Sequence, residues 1–242
     1  MSQPQLSKLN SVQHASLRVS RKYSEALGDN VMTCLVFTTE MRTLQGTYPL
    51  LMQQIDGHSQ PLPIALLGLE NDENLFLCAS ESGWAGETVP MMMQKGPFYI
   101  AKEQDSTGAV RNVIALDEDH PKLSLGSAGE RLFSEAGGHS PYLERIIALL
   151  ENIEASHPHT MEFATALGEL ELITPLDFKF TLNDGSVHTL TGFFGIDEDR
   201  LQNLPDNTLA ALQEKGYLLP LFMMIASQSQ FSRLMALKNG KS

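Results

Sequence analysis

The chain has 242 residues, of which 42% are hydrophobic and 19% charged, with a formal net charge of −12. That balance belongs to a folded globular protein and excludes global disorder. The acidic total repels phosphate backbones, so nucleic-acid binding would need a local basic stripe. The densest basic stretches, RVSRK (Arg18 to Lys22) and the tail RLMALKNGKS, are short and read as solvated surface.

In chain order, MSQPQLSKLNSVQHASLRVS has no apolar signal-peptide core. The longest apolar run, YLLPLFMMIA, is far too short for a membrane span. The expectation is a cytoplasmic protein with a polar N-terminal arm over residues 1–28 and a single α+β domain over 29–240. VMTCLVF is rich in β-formers and reads as a strand. TTEMRTLQGTYP reads as a short helix capped by Thr38 or Thr39 and stopped at Gly46 and Pro49. LLMQQI and LPIALLGL then form strands around the Asp56-Gly57 turn, and NLFLCA reads as the next strand of a meander. Cys34 and Cys78 lie in apolar stretches and are expected as buried free thiols. A short helix is expected at Met91 to Met93, with strands at Phe98 to Ala101 and Val110 to Leu116.

Ser140-Pro141 opens a helix, because proline suits the first helical position, and Leu143, Ile146, Ile147, Leu150 and Ile153 continue it at helical spacing. SHPH is expected to interrupt it, with a second helix from Pro158 to Leu167. Phe178 and Phe180 alternate with polar residues, Asn183-Asp184-Gly185 turns, and Val187 to Phe194 returns, which is a hairpin. Asp206 is expected to cap a helix that carries Leu209 and Leu212 and ends at Lys215-Gly216. Leu221, Met224, Ile225, Phe231, Leu234 and Met235 predict one C-terminal amphipathic helix. The fold class is therefore α+β: a mixed, largely antiparallel sheet with C-terminal helices packed against it.

No complete catalytic constellation appears. HPHTME places His157, His159 and Glu162 close in sequence, like half of a metal motif, but at a helix junction rather than on a strand. A solvent-exposed break explains it without a metal. The three consecutive methionines point in different directions on a helix and read as core. GSAGER lacks the lysine-hydroxyl end of a phosphate loop. The acidic turns DEDH and DEDR lack the closing glutamate of a calcium loop. Trp84, the single tryptophan, sits between glycines and reads as a core plug. No cofactor is implied.

Several stretches together resemble the SapC family, named for a protein associated with bacterial surface-layer export or assembly. They are YPLLM with PLPIALLGLENDENLFL behind it, GWAGETVPMMMQKGPFYIA, ALDEDHPKLSLGSAGERLFSEAGG, PLDFKFTLNDGSVHTLTGFFGIDEDRLQNLP and LQEKGYLLPLFMMIASQSQFSRL. The resemblance spans roughly residues 30–235. It carries no catalytic residues over. It implies an accessory or binding protein of a Gram-negative bacterium, linked to surface-layer or outer-membrane nutrient systems. Relatives are often encoded beside outer-membrane receptors and proteins similar to halogenases and cupin-like oxygenases.

The alternative is an enzyme, metal-dependent or modifying peptides or aromatic metabolites. Pockets are mostly apolar with few polar groups, so a ligand site is expected where Tyr48, Trp84, Phe98, Tyr99 and Phe194 converge. A protein partner, a small molecule or a peptide each remain open as ligands. Phe231 and Leu234 on the C-terminal helix are the residues to charge in testing a partner surface there.

Overall fold

The computed structural model describes residues 5–104 and 108–241. The first half of the chain forms β1 (Leu6–Lys8), β2 (Arg18–Val19), β3 (Thr33–Leu35), α1 (Met41–Leu44), β4 (Leu50–Gln53), β5 (Leu62–Leu66), α2 (Met91–Gln94), β6 (Phe98–Gln104) and β7 (Val110–Asp117). The second half adds β8 (Leu123–Ser124), β9 (Glu130–Arg131), α3 (Pro141–Glu169), β10 (Ile173–Thr181), β11 (Val187–Ile196), α4 (Glu198–Gln202), α5 (Asp206–Glu214), α6 (Leu218–Ser227) and α7 (Phe231–Lys241). Every pairing among these strands is antiparallel, and the helices concentrate towards the C-terminus. The fold is α+β.

The described residues group into two compact units. The first comprises 5–30, 77–85 and 91–155, and the second 31–76, 86–90 and 156–241, so α3 contributes a segment to each.

In the first unit β7 lies between β1 and β6, and β2 lies between β8 and β9. Phe98 on β6 sits opposite Leu116 on β7, and both are fully buried with Val19, Leu132 and Leu143. The N-terminus of α3 is capped as its sequence dictates. Ser140 Oγ accepts from Leu143 N at 3.1 Å and donates to Arg131 O at 2.6 Å, which satisfies an otherwise orphaned helical donor.

Beside this core lies a buried electrostatic cluster. Lys122 and Asp29 pair at 2.8 Å, with their side chains only 4% and 5% exposed. The Lys122 ammonium stands 4.0 Å from the Tyr23 ring centroid, and Tyr23 meets Trp84 edge-on at 5.1 Å. Gly83 brings the two segments together: it has φ +80°, and a Cβ there would sit 2.0 Å from Tyr23 O. Trp84 is thus the core plug its sequence setting predicts.

In the second unit the sheet order is β10-β11-β4-β5-β3. β5 reads Leu-Pro-Ile-Ala-Leu and is buried along its whole length, as expected of a central strand with no polar face. β10 and β11 form the expected hairpin. Its register shifts between Leu176 and Phe178, opposite Gly192 at φ +83°, so one extra residue on β11 makes a bulge that only glycine enters without strain. α6 packs on β4 and β11, and its Ser227 Oγ accepts from Leu50 N at 2.8 Å. Phe231 of α7 stacks on Phe178 at 4.1 Å.

Several expectations change. Asp206 is the first residue of α5 and not its cap, which is Pro205, and the residue before α1 is Glu40 and not Thr38 or Thr39. SHPH does not interrupt: α3 runs unbroken from Pro141 to Glu169 with Pro158 inside it. Side-chain hydrogen bonds brace this turn, with Thr160 Oγ1 donating to Ser156 O at 2.9 Å and accepting from Thr38 N at 3.2 Å. NLFLCA is no strand; Leu77 makes only an isolated bridge to Trp84, because Asn74 Oδ1 captures Phe76 N in a local turn. Cys34 is buried but Cys78 is exposed, its segment being loop. The C-terminal helix is two helices, split by a 3-10 turn at Gln228–Gln230.

Candidate functional site

In the first unit an open groove of about 530 Å³ is built from four separated segments. The chain leaving β1 supplies Lys8, Leu9 and Ser11, and β7 supplies Val113 and Ile114. The loop entering α3 adds Phe133 and Gly137 to His139, and α3 itself adds Ile147. Leu9, Ile114 and Ile147 are half-buried side chains packed on the core of this unit, so the floor of the groove is the exposed rim of that core. One wall is fixed locally. Phe133 and His139 form a bridge, Ser134 N donates to Gly138 O at 2.8 Å, and the two rings lie 6.1 Å apart.

The polar side of the groove is cationic. Lys8 Nζ contacts both Glu103 oxygens at 2.7 Å, and Arg111 NH2 reaches the same carboxylate at 2.8 Å. Hydrogen bonds from Lys8 and Arg111 hold the Glu103 carboxyl below the usual range. Two cations thus share one anion. Among the described residues, neither the Ser11 hydroxyl nor the His139 ring nitrogens have a hydrogen-bond partner within the protein.

The second unit holds a hydroxyl–imidazole network. Thr38 Oγ1 lies 2.7 Å from His159 Nδ1, and His159 Nε2 lies 3.0 Å from Lys215 O. A carbonyl only accepts, so Nε2 carries the proton and Nδ1 receives the Thr38 hydroxyl. The ring also meets Tyr217 edge-on at 5.1 Å, and Tyr217 donates to Glu162 Oε2 at 3.3 Å. Both His159 nitrogens and one Glu162 oxygen are therefore engaged in holding α3 to its neighbours, while His157 is exposed.

The five aromatic residues expected around a ligand are distributed over both units. Tyr48 and Phe194 belong to the second; Trp84, Phe98 and Tyr99 belong to the first. Tyr48 is fully buried against Phe76 at 4.6 Å and donates its hydroxyl to Thr88 O. Phe194 is half-buried, opposite Pro175 on β10 and Met52 on β4. Phe98 faces the core, 6.3 Å from Tyr142. Tyr99, its neighbour in the strand, points to the other face, where Lys95 Nζ stands 3.4 Å from its ring centroid. Burial, followed by the charge on Asp117, pushes the Tyr99 hydroxyl pKa upward.

Sequence reasoning missed the groove residues, since none belongs to a motif. The one local signal is the Gly137-Gly138 pair next to a histidine and a helix cap. Phe231 and Leu234, read as a partner surface, are 6% and 0% exposed and belong to the core. The apolar side chains that the C-terminal helices do expose are Leu219 and Phe222 of α6, at 50% and 49%.

The sequence profile of the SapC family matches residues 9–234. The chain belongs to the SapC family. No characterised protein and no solved structure matches this SapC chain. Among the described residues no helix is long and apolar enough to cross a membrane.

Proposed function

We propose that this SapC-family protein is a cytoplasmic accessory or binding protein. It serves bacterial surface-layer or outer-membrane nutrient systems and holds a small ligand in the groove between β1, β7 and α3. The observation that carries this reading is the groove itself, with an apolar floor continuous with the core and a few polar groups, Lys8, Ser11 and His139, at its exposed side. Its volume of about 530 Å³ lies within the range of small-molecule sites, roughly 300 to 1,000 Å³. The link to surface systems rests on the family alone.

An enzyme is the second reading, and the Thr38–His159 pair favours it, since an imidazole that accepts a hydroxyl proton is the geometry of an activated nucleophile. Thr38 is 8% exposed, which ranks this pair below the open groove.

The test is to denature protein purified from its native host and to analyse what it releases, comparing wild type with Gly138→Phe. Release of one small organic molecule per chain from wild type, depleted in the variant, supports binding. Stoichiometric iron or zinc instead, lost on His157→Ala or Glu162→Gln, overturns it in favour of the metal-dependent enzyme.

A further inference from the structure

We infer that the groove takes a small amphipathic anion, a single carboxylate on an aliphatic or aromatic body. This inference rests on the binding reading above and names the ligand's chemical class. Of the lining residues only Lys8 and His139 are ionisable; both are basic, and no acidic residue lines the groove. That is a local reversal of sign in a chain of net charge −12. Lys8 and Arg111 share the single Glu103 carboxylate, so this triad keeps one net positive charge. The exposed Ser11 hydroxyl and His139 ring line the same groove.

Below the polar side lies the hydrocarbon surface of Leu9, Ile114 and Ile147, with the Phe133 ring as a wall. A cationic ligand would find no carboxylate lining the groove. A sugar would waste its hydroxyls on the apolar floor. A polyphosphate would bring several negative charges to one net positive charge. One negative charge on an apolar body matches both halves of the groove.

The experiment is calorimetric titration of the purified full chain with three ten-carbon probes below their micellar concentrations: decanoate, decanol and decyltrimethylammonium. The expected result is one decanoate per chain, bound about tenfold or more tightly than either other probe, as one charge-assisted hydrogen bond would give. Lys8→Gln should bring decanoate close to decanol. Gly138→Phe should weaken decanoate and decanol alike; a Cβ at Gly138 meets only Ser134 Oγ, at 3.6 Å, so the backbone accepts the larger side chain. If decanol or the cation binds as well as decanoate, the anion assignment is wrong while the binding site stands. If none of the three binds, the groove is not a site for such ligands, and the binding reading falls with the inference.

Discussion

At the residue scale, the Lys122–Asp29 pair is the place where one atom matters most. Each charge is buried and each answers the other, so removing one leaves its partner stranded in a low dielectric. Asp29→Ala is expected to destabilise the fold by about 3 to 5 kcal/mol. Lys122→Met with Asp29→Leu, which removes both charges, should recover much of that loss, and urea unfolding of the single and double variants would read the difference. Equal loss in single and double variants would show that the pair matters for packing and not for charge. Gly83→Ala attacks the same cluster from the backbone side. Its methyl group would meet Tyr23 O at 2.0 Å, and its φ of +80° is hostile to any side chain. A cost of about 3 kcal/mol or more is expected, visible as a large drop in Tm.

At the scale of elements, α3 holds the clearest conflict between local preference and context. Proline in a helix interior removes a hydrogen bond and crowds the preceding turn, at a cost of about 3 kcal/mol. The turn survives because Thr160, Ser156, Thr38 and His159 form a closed hydroxyl–imidazole network around it. Pro158→Ala should therefore raise the midpoint of thermal unfolding, and Thr160→Val should lower it. The β10–β11 hairpin and the strands at 50–53, 62–66, 98–104 and 110–117 were legible, because alternation and turn residues are local signals. The continuity of α3 was not legible, since what overrides the proline comes from Thr38, over a hundred positions away. The segment after Asn74 looked like a strand by composition, yet a single side-chain oxygen turns it into a loop. The groove was hidden for the same reason as the helix: Lys8, Ile114, His139 and Ile147 share no local pattern, and it takes the pairing of β1 with β7 and the packing of α3 on the core to bring their segments together.

For the whole molecule, the half-buried His120 and the buried Tyr142 each tie stability to pH. Burial, and then the charge on Lys122, lowers the His120 pKa below its ordinary 6.5, and His120 Nδ1 accepts from Lys122 N at 3.1 Å. The neutral ring is the stabilised form, so its contribution is complete above about pH 6.5 and is lost as pH falls below it. Tyr142 moves the other way. Burial first, then Tyr23 and Glu130, raises its hydroxyl pKa well above the ordinary 10.0. Its contribution is constant below about pH 10 and is lost as pH rises further. His120→Gln should therefore soften the loss of stability below about pH 6.5, and Tyr142→Phe the loss above about pH 10, each read by urea unfolding against pH.

The groove of the first unit is where this SapC protein is proposed to meet its ligand. Hydrogen–deuterium exchange of the full chain with and without saturating decanoate tests it most directly. The predicted result is slowed exchange confined to the groove segments around Lys8 to Ser11, Val113–Ile114 and Phe133 to His139. Slowed exchange around Thr38 and His159 instead, with the groove unchanged, would contradict it.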